Sequence, residues 1–284
     1  MAQKLGYRPN ILAQMLVTGK ADRIGFYSGR SRLDCRNPFF AEVLGGVFEG
    51  AETLGYDTVV HTSGVTEPRI TDLVRGHTLD GLIVHLQPDD PILSVLGDRR
   101  IPTVAVGDVF ENIPSVTVDD VRGGQLLADH LVSQGHRHVL IKQTRFPLQS
   151  AAARVDSFAR RCINLQIAVT MGMEGAGDAI SDSDLSVLTA QKNRATAVMA
   201  WSDALAEAIC DSLTVHRLGI PNDVAVVGFD GFHHRRRPHD LTTIQAPWHE
   251  VGKEAVFVLR SQIEGTPFPD VTCLPVSFYR GSTT

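Results

Sequence analysis

The sequence predicts an α/β protein made of two doubly wound, parallel-sheet domains, and three observations carry that prediction. Short β-branched runs alternate with helical patterns almost from end to end. The runs are apolar throughout rather than alternating, as strands covered on both faces are. The alternation comes in two series over 284 residues, a length that suits about two domains.

The first series opens with a strand at Arg23–Ser28 (RIGFYS) and a helix at Pro38–Leu54, where Phe40, Val43, Leu44, Val47, Phe48 and Ala51 recur at helical spacing. Asp57–His61 is the next strand. A helix near Thr66–Arg75 and strands at Gly81–His85 and Pro102–Gly107 complete the series. The second series runs through a helix at Val121–Gln134, a strand at His138–Ile141 and a helix at Ser150–Ile163. It continues with strands at Leu165–Val169 and Thr196–Ala200, a helix at Asp203–His216 and a strand at Val224–Phe229. Ligands of such sheets sit beyond the carboxyl ends of the strands, which points to the loops after Ser28, Gly107, Ala200 and Phe229. Met1–Ala21 stands apart. Pro9 suits a helix start, Ile11–Val17 would make about two turns, and Thr18-Gly19 would stop them. A helix that short needs a partner to be ordered.

Composition excludes several function classes. Hydrophobic residues at 43% and charged residues at 21% give an ordinary globular mix. Lys plus Arg is 27 against 32 for Asp plus Glu, a net charge of −5, so any contact with DNA has to be local. No apolar stretch reaches the roughly 18–20 residues of a membrane span, and the first 30 residues carry no signal-peptide core. Cys35, Cys162, Cys210 and Cys273 lie far apart and read as reduced thiols. A soluble, cytoplasmic protein is therefore expected. Neither phosphate-loop fingerprints nor GxSxG nor HExxH occur, so no enzyme and no cofactor is expected. His136/His138 and His233/His234/His239 lack partners at ligand spacing and read as solvated loop histidines rather than metal sites. Arg235–Arg237 reads as a solvated face or an oligomer contact, and Gly45-Gly46 and Gly123-Gly124 as points of close helix packing.

An ordered series of motifs then resembles the LacI/GalR family of transcriptional regulators. Leu5-Gly6-Tyr7-Arg8-Pro9-Asn10, Ala13, Leu16, Thr18-Gly19 and Ile24-Gly25 are similar to its hinge. Asn37-Pro38-Phe39-Phe40 resembles its first ligand loop, and Asp119, Gly123, His130-Leu131 and Gly135-His136 its crossover. Pro221–Asp230, Leu241–Ile244, Leu274-Pro275-Val276 and Arg280–Thr283 resemble its later signatures. The resemblance implies a periplasmic-binding-protein-like fold of two Rossmann-like subdomains joined by crossing strands. It implies a division into a hinge remnant (1–21), a first subdomain (22–118 plus 247–268) and a second (119–246 plus 269–284). It also implies a repressor-type function. Members form homodimers, bind operator DNA through an N-terminal helix-turn-helix, and respond to a small effector held between the subdomains. The helix-turn-helix is expected to be missing from this chain, which starts near the hinge.

Carried onto this sequence, the resemblance assigns Leu16 as a minor-groove wedge and Ala13 as its small neighbour, with Arg8 and Asn10 beside them. Without a recognition helix, an unstructured linker is the simpler reading of that segment. The effector set is Arg154 and Asp230 from the second subdomain with Asp108, Asn37 and Phe39 from the first, joined by Ser202 and by Trp201, whose place at a strand end suits lining the cleft or filling core equally well. A guanidinium donates a planar pair of hydrogen bonds and a carboxylate accepts from two hydroxyls, which suits a sugar or polyol. Interdomain salt bridging without a ligand is the competing reading. Phe40 continues the apolar stripe of its helix, so Phe39 is the expected aromatic contact. Asp203 is expected to cap the following helix. Ala246 stands where the lactose repressor has a polar ligand contact, which weighs against that sugar. A periplasmic-type sugar receptor would share the fold, but the hinge residues count against it. An enzyme on a doubly wound fold is countered by the absent catalytic motifs.

Overall fold

The computed structural model describes residues 20–29, 34, 36–61, 78–96, 101–144, 148–173, 179–232 and 239–284. The hinge residues Arg8, Asn10, Ala13 and Leu16, the expected helix at 66–75 and the Arg235–Arg237 run lie outside them. Two parallel sheets form the framework. The first contains β1 (Arg23–Tyr27), β2 (Asp57–His61), β3 (Gly81–Val84), β4 (Thr103–Val106), β5 (Ser115–Val118) and β11 (Val271–Leu274), in the order β11-β5-β4-β3-β1-β2. The second contains β6 (His138–Gln143), β7 (Ala168–Met173), β8 (Ala197–Ala200) and β9 (Ala225–Val227), in the order β7-β6-β8-β9. A two-stranded antiparallel ribbon, β10 (Thr243–Gln245) with β12 (Ser277–Tyr279), lies alongside β9 through the Val227–Thr242 and Asp230–Gln245 bridges.

The apolar runs have the burial that their composition predicts. Leu82, Ile83 and Val84 of β3 and Val139, Leu140 and Ile141 of β6 are fully buried, as strands with helices on both faces must be. Around the first sheet pack α1 (Pro38–Leu54), α2 (Ile92–Leu96) and α7 (Trp248–Glu264). Around the second pack α3 (Asp120–Ser133), α4 (Gln149–Asn164), α5 (Asp182–Leu188) and α6 (Asp203–Val215). Strand β7 starts three residues later than the 165–169 expected from the apolar Leu165 and Ile167. Leu165 instead caps the end of α4, and Gln166 turns the chain at φ 60°.

The chain passes between the halves three times: from β5 to α3, from β10 to α7 and from β11 to β12. The last passage corrects one expected boundary. Residues 271–274 were expected in the second subdomain, yet they pair in parallel with Ser115–Val118 of the first sheet. The apolar pattern of Val271–Leu274 fits either sheet edge, so periodicity alone could not decide between them.

Small residues set how closely the helices approach. A Cβ on Gly46 of α1 would lie 1.8 Å from the carbonyl oxygen of His249 on α7, and one on Gly252 would lie 2.0 Å from that of Val43. The obstructing atoms are backbone, which cannot swing away. Gly46→Ala is therefore expected to destabilise the chain by about 2 kcal/mol or more. An unchanged urea midpoint would show that the helices can part without cost.

Candidate effector-binding cleft

Of the residues expected to bind an effector, Arg154 is the most constrained side chain. It lies in the second turn of α4 and is only 3% exposed. Its Nε and Nη2 donate to Asp120 Oδ1 at 3.0 and 2.8 Å, and Nη1 donates to the Trp201 carbonyl. The guanidinium stacks over the Phe229 ring, 3.5 Å from its centroid. Two glycines make this possible. A Cβ on Gly123 would meet the Phe229 ring at 2.4 Å, and one on Gly124 would meet the Arg154 carbonyl oxygen at 2.4 Å. Only glycine at both positions lets α3 come near enough to α4 for Asp120 to reach the guanidinium.

Asp230 Oδ1 is 3.9 Å from Arg154 Nη1, beyond hydrogen-bond length, while Oδ2 accepts from the Asp203 backbone N–H at 3.2 Å. The Asp230 backbone has φ 142°, a conformation that side chains other than glycine seldom adopt and that is common at binding sites. The loop is held by Asp203, whose carboxylate accepts from Gly231 N–H (2.8 Å), Phe232 N–H (2.9 Å) and Thr243 Oγ1 (2.6 Å). Burial raises the Asp230 carboxyl to about 8, with Arg154 opposing and Asp203 adding to the rise. Burial likewise raises Asp203 to about 6 against its three donors. It also holds Asp120 above the usual carboxylate range despite the adjoining Arg154.

Several sequence assignments change role. Ser202, expected to face ligand, is the N-cap of α6, with Oγ accepting from Leu205 N–H at 3.3 Å. Asp203, expected to be that cap, anchors the Phe229–Phe232 loop instead. The reason is register: Ser202 has the extended backbone of a cap, φ −145°, whereas Asp203 is already helical. Asn37 is exposed and caps α1, its Oδ1 accepting from Phe39 N–H at 3.1 Å. Trp201 is half-buried against both core clusters and meets Arg154 through its carbonyl. Asp108, also expected to face ligand, is 2% exposed, and its carboxylate accepts backbone N–H groups from Val109, Gln149 and Ser150.

The first half carries an aromatic cluster. Phe39 lies 4.8 Å from His85 and 4.9 Å from Trp248, ring centroid to ring centroid, while Phe40 is buried in the core. His85 Nδ1 lies 3.2 Å from the Val106 carbonyl oxygen, and burial lowers the ring's pKa and so favours the neutral form. Trp248 is buried, and its Nε1 has no hydrogen-bond partner among the described residues. Asp120, His85 and Trp248 were missed from the sequence. His85 carried a signal, since it follows the buried run Gly81–Val84 at a carboxyl strand end. Asp120 was hidden beside Asp119, the more obvious helix cap.

The raised Asp230 pKa has a definite sign for stability. Between the unfolded carboxylate value near 4 and about 8, the native state keeps a proton that the unfolded state has lost, so stability falls as pH rises through that window. Asp230→Asn removes this loss. Its urea midpoint is expected to exceed wild type at pH 8, with the advantage shrinking towards pH 5. A constant difference across that range would contradict the assignment.

Comparison with known proteins agrees with this architecture. The family model of a periplasmic-binding-protein-like domain matches residues 128–284, more than half of the chain. The transcriptional regulator CelR of Thermobifida fusca is 27% identical over 277 residues, covering 93% of this chain and 81% of the relative. The repressor PurR of Vibrio parahaemolyticus is 25% identical over 272 residues, covering 92% and 80%. Among solved structures, a CelR–cellobiose complex superposes with TM-score 0.79 at 22% identity, covering all of this chain and 88% of the other. A lac repressor dimer bound to operator and an anti-inducer gives TM-score 0.79 at 23% identity, covering 98% and 99%. The chain belongs to the periplasmic-binding-protein-like domain family, in the form carried by LacI/GalR-type transcriptional regulators.

Proposed function

We propose that the chain is the effector-sensing part of a repressor-type regulator, and that its cleft takes a small sugar or polyol. The single observation that carries this reading is the unused hydrogen-bonding capacity around Arg154. Asp120 Oδ2 and Asp230 Oδ1 accept no hydrogen bond among the described residues, and each Nη of Arg154 retains one N–H. A polyhydroxyl ligand both donates and accepts, so it fits this set. Phe39, half-buried against Trp248, is the ring that would meet the apolar side of a sugar. The CelR–cellobiose complex supports the ligand class by likeness of fold. Thermal-shift screening of sugars, nucleobases and sugar phosphates, followed by calorimetry, tests the reading. Arg154→Ala is expected to weaken the best ligand roughly ten- to hundredfold. Equal affinity in Arg154→Ala and Asp230→Ala would overturn the site.

The regulator is further proposed to act as a two-fold dimer on operator DNA, with DNA contact depending on the segment around Arg8–Leu16. The lac repressor dimer on its operator supports this by likeness. Sedimentation is expected to show a dimer of the 284-residue chain at micromolar concentration. A monomer there counts against it.

A further inference from the structure

The helices of this fold mostly carry their own caps. Asn37, Asp119, Ser181 and Ser202 each lend a side-chain oxygen to the first turn of α1, α3, α5 and α6. Helix α4 does not: its N-cap is Leu148, which makes no side-chain cap bond, and its first turn has no acidic residue. The missing acceptor comes from the other half of the molecule. Asp108 Oδ2 accepts from Gln149 N–H at 3.1 Å and Oδ1 from Ser150 N–H at 2.8 Å. Asp108 follows β4 of the first sheet, after the Gly107 turn at φ 82°. A carboxylate there meets the positive end of the helix as well as two otherwise unbonded N–H groups.

We infer that Asp108 is a positioning residue, a latch that holds the two halves of the cleft together by capping α4 across the gap, rather than an effector contact. The inference rests on reading the cleft as the effector site, because Arg154 lies on the same helix, four residues beyond Ser150. Seating the α4 N-terminus on Asp108 fixes where the guanidinium stands relative to Phe39 and Trp248. Opening the halves exposes Asp108 and two amide N–H groups to water together, so the latch biases the open–closed equilibrium before any effector arrives. An effector that needs the closed form then binds more tightly by the closed fraction that Asp108 secures.

The test separates a latch from a mere helix cap, and it is read without ligand. In Asp108→Ala, amide exchange at Gln149 and Ser150 is expected to rise roughly tenfold, and small-angle scattering should show a larger radius of gyration than wild type. Adding Leu148→Asp gives α4 a cap of its own. The double variant is expected to regain slow exchange at Gln149 and Ser150 while staying expanded. If the double variant becomes as compact as wild type, or if Asp108→Ala never expands, Asp108 is only a cap and the inference fails. Should Asp108→Ala not fold, Asp108→Asn serves in its place. It keeps one acceptor oxygen and should give a smaller change in the same direction, and wild-type compactness and exchange would overturn the latch. A negative ligand screen would undo the effector reading while leaving these ligand-free results intact.

Discussion

The buried guanidinium of Arg154 is the constraint around which the second half of the molecule is arranged. A charge at 3% exposure persists only if it is paired and its donors are bonded. Asp120 supplies the pair, the Trp201 carbonyl takes one further N–H, and Phe229 offers its ring face. Each partner carries a packing requirement of its own: glycine at 123 to admit the ring, glycine at 124 to admit α4. Burial still raises Asp120 above the usual carboxylate range. Desolvation therefore outweighs the attraction of the adjoining cation at that carboxyl. Well-packed apolar residues in such a place are often neutral or better for stability. Stability is thus a poor reason for this cluster to exist, and the open oxygens of Asp120 and Asp230 give a better one.

The connections between the halves run through the site. Asp119 and Asp120 follow the first crossing directly, and Trp248 begins the helix that follows the second. The walls of the cleft are thereby attached to the strands that must bend if the halves rotate. Interfaces of this kind tend to have discrete packings rather than a continuum, so a small displacement at the cleft is converted into a choice between arrangements. The aromatic wall of Phe39, His85 and Trp248 belongs to one half, and the charged wall around Arg154 to the other.

The fold was legible because it rests on patterns the chain repeats. The fully apolar runs at 81–84 and 139–141 are strands covered on both faces, and the helical stripe buries Phe40, Val43, Leu44, Val47 and Ala51 as its spacing requires, whereas Phe48, counted in that stripe, is 48% exposed. The Arg154 and Asp230 positions were legible through family motifs, and the structure brings them within 3.9 Å. What could not be read was which oxygen bonds to which hydrogen. Ser202 takes the cap expected of Asp203, which anchors the neighbouring loop instead, because a one-residue shift in helix start decides which of two good caps is used. Asp108 looks like a free carboxylate from sequence, since two of its three donors lie some forty residues away on another subdomain. Val271–Leu274 went to the wrong half because an apolar edge strand does not name its sheet.

The balance of donors and acceptors narrows what the cleft can hold. A guanidinium has five N–H groups, and three are spent within the protein. Two therefore remain unbonded among the described residues, beside two carboxyl oxygens that accept no bond there. A phosphate dianion would satisfy the donors but bring its charge beside the Asp120 and Asp230 carboxyls, which disfavours their ionised forms still further. A hydroxyl group both donates and accepts, so neighbouring hydroxyls on one ring can serve a carboxylate and the guanidinium at once. Hydroxyls donated to Asp230 oppose the burial that raises its carboxyl, because each such hydrogen bond favours the ionised form. Binding and proton release are then linked at Asp230, and the ligand that best completes the set is neutral and rich in hydroxyls.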